Sequence, residues 1–328
     1  MLDLLRLQAV PLEALSLRRY ADDNELARVS MINIKQTYGV PILVAHRADL
    51  QRVLKDGAED FGARIQTRSY VENIDFENAR IMIKGCSKWL QSDVVIAADG
   101  IKSTIRKKML ALNGQVDQVR ETGDAAWRAI ISAEKIHATK DASLIEALNN
   151  PVVLRWMGPN GHIMSYPIRN HHFLNLVLLH PDKIGTKESW TTKGNKKEIV
   201  EFYKNWNIRV KKLLDLILER EILEWKLCDH ISLPTWTKSK VALMGDAAHP
   251  MLPYVGQGAA QAVEDGAVLG ACLAMISSTE EINPALKGTD TQMQTIEMWE
   301  HLMKLVTSGQ DFESPFSTKR LPWLQKLK

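Results

Sequence analysis

Apolar and polar positions follow two rhythms along this chain, and the switches between them divide it. Between residues 64 and 98 three runs, RIQTRSYVENID, NARIMIKG and SDVVIAADG, carry the alternation or the short apolar stretch of β-strands. The last is apolar almost throughout and stops at Asp99-Gly100, as a buried parallel-type strand does where it ends at a site. Residues 28–45, RVSMINIKQTYGVPILVA, predict two short strands around a turn at Gly39. HRADLQRVLKDGA follows from His46 with Leu50, Val53 and Leu54 at helical spacing. Four more strands are expected at 125–133, 152–157, 162–168 and 173–179, with Gly158-Pro159-Asn160-Gly161 as a hairpin turn. Residues 196–220 predict a charged amphipathic helical stretch. A strand returns at KVALMGD, and a long helix runs from Gln257.

Helices and parallel-type strands thus sit at both ends, with an antiparallel block between them. That order predicts an α/β nucleotide-binding lobe interrupted by a sheet-rich substrate lobe. We divide the chain into residues 1–45 (an N-terminal remnant with strands of the substrate lobe), 46–111 (nucleotide lobe, first part), 112–232 (substrate lobe), 233–290 (nucleotide lobe, second part) and 291–328 (a divergent tail).

The turn after Val241–Met244 carries the chemistry. In open α/β sheets ligands lie outside the carboxyl ends of strands. Asp246 at such an end is acceptor-only and suits sugar or ribityl hydroxyls. Gly256 and Gly258 let backbone approach a ligand, and the helix behind them offers unpaired N–H groups and a positive dipole end. On that helix Ala259, Ala262, Val263, Gly266, Ala267 and Gly270 fall on one half and Gln261, Glu264 and Asp265 on the other. The small-residue half is expected to lie close against a sheet or a second helix. GQGAAQ is no dinucleotide fingerprint: the third glycine of GxGxxG is missing, and no acidic residue follows at a strand end.

Bulk properties remove alternatives. The 328 residues suffice for two lobes. A net charge of +3 and the lack of any nucleic-acid-binding motif argue against a nucleic-acid partner. Arg106-Lys107-Lys108 reads as a solvated basic helix end. The three cysteines, Cys86, Cys228 and Cys272, form no CxxC, and the nine histidines form no HExxH, so neither a disulfide framework nor a metal site is expected. The cysteines fit a reducing, cytoplasmic setting. The N-terminus has no signal-peptide pattern, and the apolar run at 267–276 is too short for an integral membrane segment. The sequence sets no oligomeric state.

Three stretches then converge. HRADLQRVL (His46–Leu54), DVVIAADGIKSTIRKKM (Asp93–Met109) and VALMGDAAHPMLPYVGQGAAQAVEDG (Val241–Gly266) resemble, in order and separation, the later motifs of the class A flavoprotein monooxygenases. These are the single-component FAD-dependent aromatic hydroxylases, here of the salicylate-hydroxylase-like branch. The resemblance covers roughly residues 25–275. It implies that Arg47 contacts FAD and that Asp99 and Gly100 lie near the pyrophosphate and the NAD(P)H approach. It implies that Asp246 holds the ribityl chain and that Gly258 and Ala259 place helix N–H groups near the flavin pyrimidine ring. AAWRAII resembles the family's aromatic-Arg strand and GHIMSYPIR its tyrosine strand, which makes Arg128 and Tyr166 substrate-site residues. From the residues alone, Arg128 reads equally as a surface strand residue and Tyr166 equally as a core tyrosine. Ser103 reads as a helix N-cap and Arg106 as structural, while the resemblance implies that His249 lines the flavin rather than moving protons.

The resemblance implies a monooxygenase in which NADPH or NADH reduces FAD, oxygen adds to give a flavin hydroperoxide, and a small aromatic substrate takes one oxygen atom. Two alternatives are a non-catalytic flavoprotein remnant without bound FAD and a flavin reductase or epoxidase of the same fold. The family opens with a strand, a GxGxxG turn, a helix and an acidic strand end, and this sequence lacks all four. The fold class expected is therefore α/β: an incomplete FAD-binding Rossmann-like lobe, its first βαβ unit missing, with an inserted, mostly antiparallel β-sheet lobe. A truncated chain and weak FAD binding are the corresponding expectations. The tail also lacks the Arg-rich helix that follows the last motif in the family.

Overall fold

A computed structural model describes residues 2–182 and 192–293. The divergent tail lies outside the described residues from position 294 onward. Contacts divide the chain into two units, Met1–Thr67 with Arg120–Cys228 and Arg68–Val119 with Asp229–Lys328.

The first unit is built on a seven-stranded sheet in the order Leu223–His230, Val119–Ser132, Phe173–Pro181, Gly161–Ile168, Val152–Gly158, Ala14–Arg19, Glu25–Ser30. Its hairpin pairings are antiparallel, and Ala14–Arg19 runs parallel to Val152–Gly158. Strand alternation decides which side chains meet. Trp127, Ala129 and Ile131, with Leu174, Leu176 and Leu178, Ile163, and Leu154 and Trp156, form one face. Helices Ala142–Asn149, Lys196–Phe202 and Ile208–Asp215 cover it with Leu144, Ile199, Val210 and Leu213. Burying each large apolar side chain contributes about 1.5–3 kcal/mol, so this layer is the unit's main source of stability. The other face carries the intervening residues, among them Arg128, Tyr166 and Arg155.

Two local expectations change here. The predicted strand pair at 28–45 contains a helical turn, Ile34–Tyr38, between Glu25–Ser30 and Leu43–Val44. Gly39, at φ 82°, ends that turn as a left-handed cap, and its N–H reaches Lys35 O. The glycine is therefore a helix stop rather than a hairpin turn. The 196–220 stretch is two helices, because Asn195 and Asn207 each accept a backbone N–H and cap a separate start.

The connection between Gly161–Ile168 and Phe173–Pro181 is unusual. Arg169, Asn170 and His171 all have positive φ, at 49°, 49° and 64°. Left-handed backbone costs a non-glycine residue about 1–2 kcal/mol, so the turn needs outside support. Arg169 gives a two-pronged pair to buried Asp49 at 2.6 and 3.0 Å, and His171 Nδ1 lies 2.7 Å from Leu148 O. Asp49 belongs to helix Arg47–Asp60, which forms where the HRADL spacing predicts it.

In the second unit Val95–Ala97 and Val241–Leu243 pair in parallel, as the two apolar runs require, with Thr237–Lys238 antiparallel beside the latter. Ile105, Met109, Phe76 and Trp236 pack around them. A second sheet joins Val71–Asp75, Arg80–Ile83 and Trp89–Gln91. Helix Gly258–Ala274 corrects its expected orientation: its buried line is Gln261, Asp265 and Leu269, one turn apart, while Ala259, Val263, Gly266, Ala267 and Gly270 are exposed. The cause is polar. Asp265 Oδ2 accepts the Gly245 N–H at 2.8 Å and lies 2.6 Å from His249 Nε2, and these bonds turn that line inward.

Arg106 is structural, as expected for it, and the reading of the 106–108 run as a solvated end is corrected at this position: its side chain has no exposed surface. It donates from Nε and Nη2 to the two Asp117 oxygens at 3.1 and 3.0 Å, and from Nη1 to Asp246 O at 3.2 Å and Ala247 O at 3.0 Å. It also donates to Ile101 O and lies against His230. Burial raises the Asp117 pKa, but hydrogen bonds from Arg106 and His230 outweigh this and hold it below the ordinary carboxylate value. The pair's contribution is therefore present at neutral pH and is lost as pH falls through the lowered value. Removing one partner of a buried pair costs about 3–5 kcal/mol. Arg106→Ala is expected to lower the melting temperature sharply, and Arg106→Lys nearly as much, because an ammonium cannot reproduce the fork. An unchanged melt for Arg106→Lys would show that these bonds are redundant.

Candidate functional site

In the first unit, sheet register brings Arg128 and Tyr166 to one face. Arg128 pairs with Val177, Val177 with Met164, and Tyr166 stands two residues beyond Met164 on the same side. The long side chains close the gap, and Arg128 hydrogen-bonds the Tyr166 hydroxyl. The Arg128 guanidinium lies over the Trp225 ring, 4.7 Å from its centroid, a cation–π contact. Among the described residues no carboxylate pairs with Arg128. Burial lowers its pKa, and the nearby charge of Arg47 lowers it further. An arginine stays protonated through such a shift, so the site holds an uncompensated positive charge. Burial raises the Tyr166 pKa, opposed by Arg128, so the phenol keeps its proton at neutral pH and can donate it in a hydrogen bond.

Arg47 is the first residue of its helix, directly after His46. The His46 Nδ1 is buried without a hydrogen bond. Burial, then the charge of Arg169, keeps His46 below the ordinary histidine value. His46 is therefore neutral at neutral pH and adds no charge of its own beside Arg47.

In the second unit, Asp99 ends the apolar strand where the sequence places it, with Gly100 at φ 80° behind it. The Asp99 carboxylate is engaged within the protein. It accepts the Ser103 hydroxyl at 2.5 Å and the Thr104 and Ile105 N–H groups at 2.8 and 3.2 Å. Ser103 in turn caps helix Thr104–Leu112 through the Arg106 N–H at 2.9 Å, as expected.

Asp246 is held differently. Its backbone is fixed from two sides, by Arg106 on its carbonyl and by Asp265 on the Gly245 N–H. Gly245 has φ 58°, and a Cβ there would come 3.2 Å from the Ala262 Cβ, so only glycine fits. Among the described residues nothing bonds the exposed Asp246 carboxylate. A Cβ added at Gly258 would lie 4.0 Å from Asp246 Oδ1 and 3.9 Å from the Met251 Cβ. The acid and the start of helix Gly258–Ala274 therefore border one small cradle that a side chain at 258 would begin to fill. Ala259, the second helical residue, is exposed at the same end. A fixed, acceptor-only carboxylate beside unpaired helix N–H groups fits a ligand that has hydroxyls next to an electron-rich group.

The structure thus groups Arg47, Arg128 and Tyr166 in one unit and Asp99, Gly100, Asp246, Gly258 and Ala259 in the other. The sequence reading missed the residues that fix these positions. The Asp265–His249 pair was legible as an acid on the same helical line as Leu269. Asp117 and Asp49 carried no local signal, because their partners lie far away in sequence or in an irregular turn.

Known proteins share this chain's fold and family. A family described as an FAD binding domain matches residues 6–287. The chain is 34% identical over 285 residues to the FAD-dependent monooxygenase atnJ of Arthrinium sp, covering 86% of this chain and 65% of that protein. It is 29% identical over 281 residues to 3-hydroxybenzoate 6-hydroxylase 1 of Aquipseudomonas alcaligenes, covering 83% and 67%. The chain spans about two thirds of the length of the curated relatives it matches. A salicylate hydroxylase solved as a substrate complex superposes with a TM-score of 0.74 at 23% identity, over 97% of this chain and 80% of that one, so the two share the fold. With most of its length matched by that domain, the chain belongs to the FAD binding domain family.

Proposed function

We propose that this protein works as an FAD-dependent monooxygenase that hydroxylates a small aromatic acid, using NADPH or NADH as reductant. One oxygen atom of O2 enters a ring C–H bond, and the other leaves as water with the two electrons of the nicotinamide. The observation that carries the reading is Arg128, a half-buried cation with no carboxylate partner among the described residues, bonded to a protonated Tyr166. Such a pair suits a carboxylate or phenolate oxygen, since charge-assisted hydrogen bonds are the strong ones. The relatives add support: one is named for a hydroxybenzoate, and the solved neighbour is a salicylate hydroxylase.

When bound, FAD supplies the chemistry that activates oxygen. Asp246 would hold its hydroxyl-bearing chain, and the N–H groups at Gly258 and Ala259 would face electron-rich atoms of the ring system. Asp99 would act indirectly, by fixing the start of helix Thr104–Leu112. On the substrate side, Arg128 anchors the anion, Tyr166 donates to it, and Arg47 adds positive charge. Among the described residues no helix is long and apolar enough to cross a membrane. The three free cysteines support a reducing, cytoplasmic setting.

Two measurements test this. Asp246→Ala should weaken FAD binding about tenfold or more, the loss of one charge-assisted hydrogen bond worth about 1.5–3 kcal/mol. Ser103→Ala should lower the melting temperature through a lost cap while keeping its flavin. Equal flavin absorbance per protein in the two variants would overturn the assignment of Asp246. Arg128→Met should keep the flavin spectrum, raise KM for an aromatic acid roughly 10–100-fold, and let NAD(P)H oxidation outrun product formation. Loss of flavin instead would place Arg128 with the cofactor.

A further inference from the structure

The face that presents Arg128 holds a second arginine whose environment is as unusual. Arg155 is half-buried, and its Nε is buried without a hydrogen-bond partner. Its terminal nitrogen lies 3.3 Å from His162 Nε2. Among the described residues no carboxylate pairs with it, and burial alone lowers its proton affinity. Half-buried charges are normally paired. Here the partner is an imidazole 8% exposed, kept neutral by burial and then by Arg155 itself, against Asp124, which pushes the other way; its pKa falls to about 4. A neutral imidazole accepts a hydrogen bond and orients the guanidinium without cancelling its charge. A partner selected only for stability would have been an acid.

The register fixes where this charge stands. Arg155 pairs with Met164, Met164 with Val177, and Val177 with Arg128, in one cross-strand row. Three strand spacings separate the two arginines, roughly 14 Å between backbones. Tyr166 bonds Arg128, whereas the Arg155 guanidinium lies at His162, on the other side of Met164 along the strand, so the two charges stand at opposite corners of this face. Val177 and Met164 give the interval an apolar floor suited to a ring.

We propose that Arg155, oriented by His162, is a second substrate anchor that binds a carboxylate at the end of the substrate remote from Arg128. This rests on the monooxygenase reading above and narrows it. The substrate is a bipolar aromatic acid, its phenolic oxygen held by Arg128 and Tyr166 and its carboxylate by Arg155. Specificity then comes from Arg155, because a neutral group in place of the carboxylate leaves a desolvated cation unpaired.

The test compares binding of para-hydroxybenzoate and para-hydroxybenzamide, which differ in the charge at one end, to the full chain supplied with FAD, read by tryptophan fluorescence quenching. The native chain should prefer the carboxylate about 10–100-fold. Arg155→Gln should shrink that preference to within about threefold, by weakening carboxylate binding and relieving the carboxamide of an unpaired cation, with flavin content unchanged, and Arg155→Lys should restore most of it. Arg128→Gln should weaken both probes alike. The proposal is overturned if Arg155→Gln keeps the preference, if Arg155→Gln loses FAD instead, or if the native chain shows no preference. If Arg128→Gln alone abolishes the preference, the carboxylate sits at Arg128: this proposal fails and the monooxygenase reading stands. If the native chain binds neither probe and no FAD, both fail.

Discussion

The second unit depends on one side chain. Arg106 is fully buried, and its guanidinium ties helix Thr104–Leu112 to Asp117, His230 and the carbonyls of Asp246 and Ala247. Carbonyls at a tight turn are acceptors that no regular ladder satisfies, and leaving them unmet in the interior is costly. A rigid cation with five donors in a plane meets three such acceptors together with a carboxylate. The turn that presents Asp246 is thereby held from behind while its carboxylate stays free in front. Asp265 completes the clamp from the opposite helix through the Gly245 N–H.

The first unit rests on a geometric constraint instead. Successive residues of a strand point to opposite faces, so burying Trp127 against the helices places Arg128 on the other side. The same logic sets Trp156 against Arg155 and Ile163 against His162. Packing one face of the sheet thus determines the chemistry of the other, and a one-residue slip would bury the arginines and expose the tryptophans. The aromatic layer at Trp127, Tyr203 and Trp206, with ring centroids 6.4 and 4.7 Å apart in edge-on contact, makes that slip prohibitive.

What the sequence made legible follows from this division. Strand positions and their two faces could be read from alternation, and the parallel pairing of the two apolar runs from their composition. The ends at Asp99 and Asp246 were visible because Gly-Asp and Asp-Gly break an apolar run abruptly. Long-range polar closure was not visible. Arg106 read as structural, but nothing near it indicates that Asp117 and the carbonyls of residues 246 and 247 will surround it. The facing of helix Gly258–Ala274 failed for the same reason: small residues suggested close packing, whereas two hydrogen bonds to Asp265 set the rotation. Arg155 was on view in VVLRWMG, but its significance lay in the register with Met164 and in the missing acid.

The left-handed turn at Arg169, Asn170 and His171 bears on how this protein can vary over evolutionary time. Its flanking residues Ile168 and Phe173 are a fixed pair, so an insertion would draw the arginine away from Asp49. Position 169 is pinned by its guanidinium and position 171 by its imidazole on Leu148. Only the middle residue, exposed and without such a tether, is open to drift, and there the backbone angle favours glycine, asparagine or aspartate. Variation in this loop is thus channelled to one site and a narrow alphabet, next to the strand that carries Tyr166.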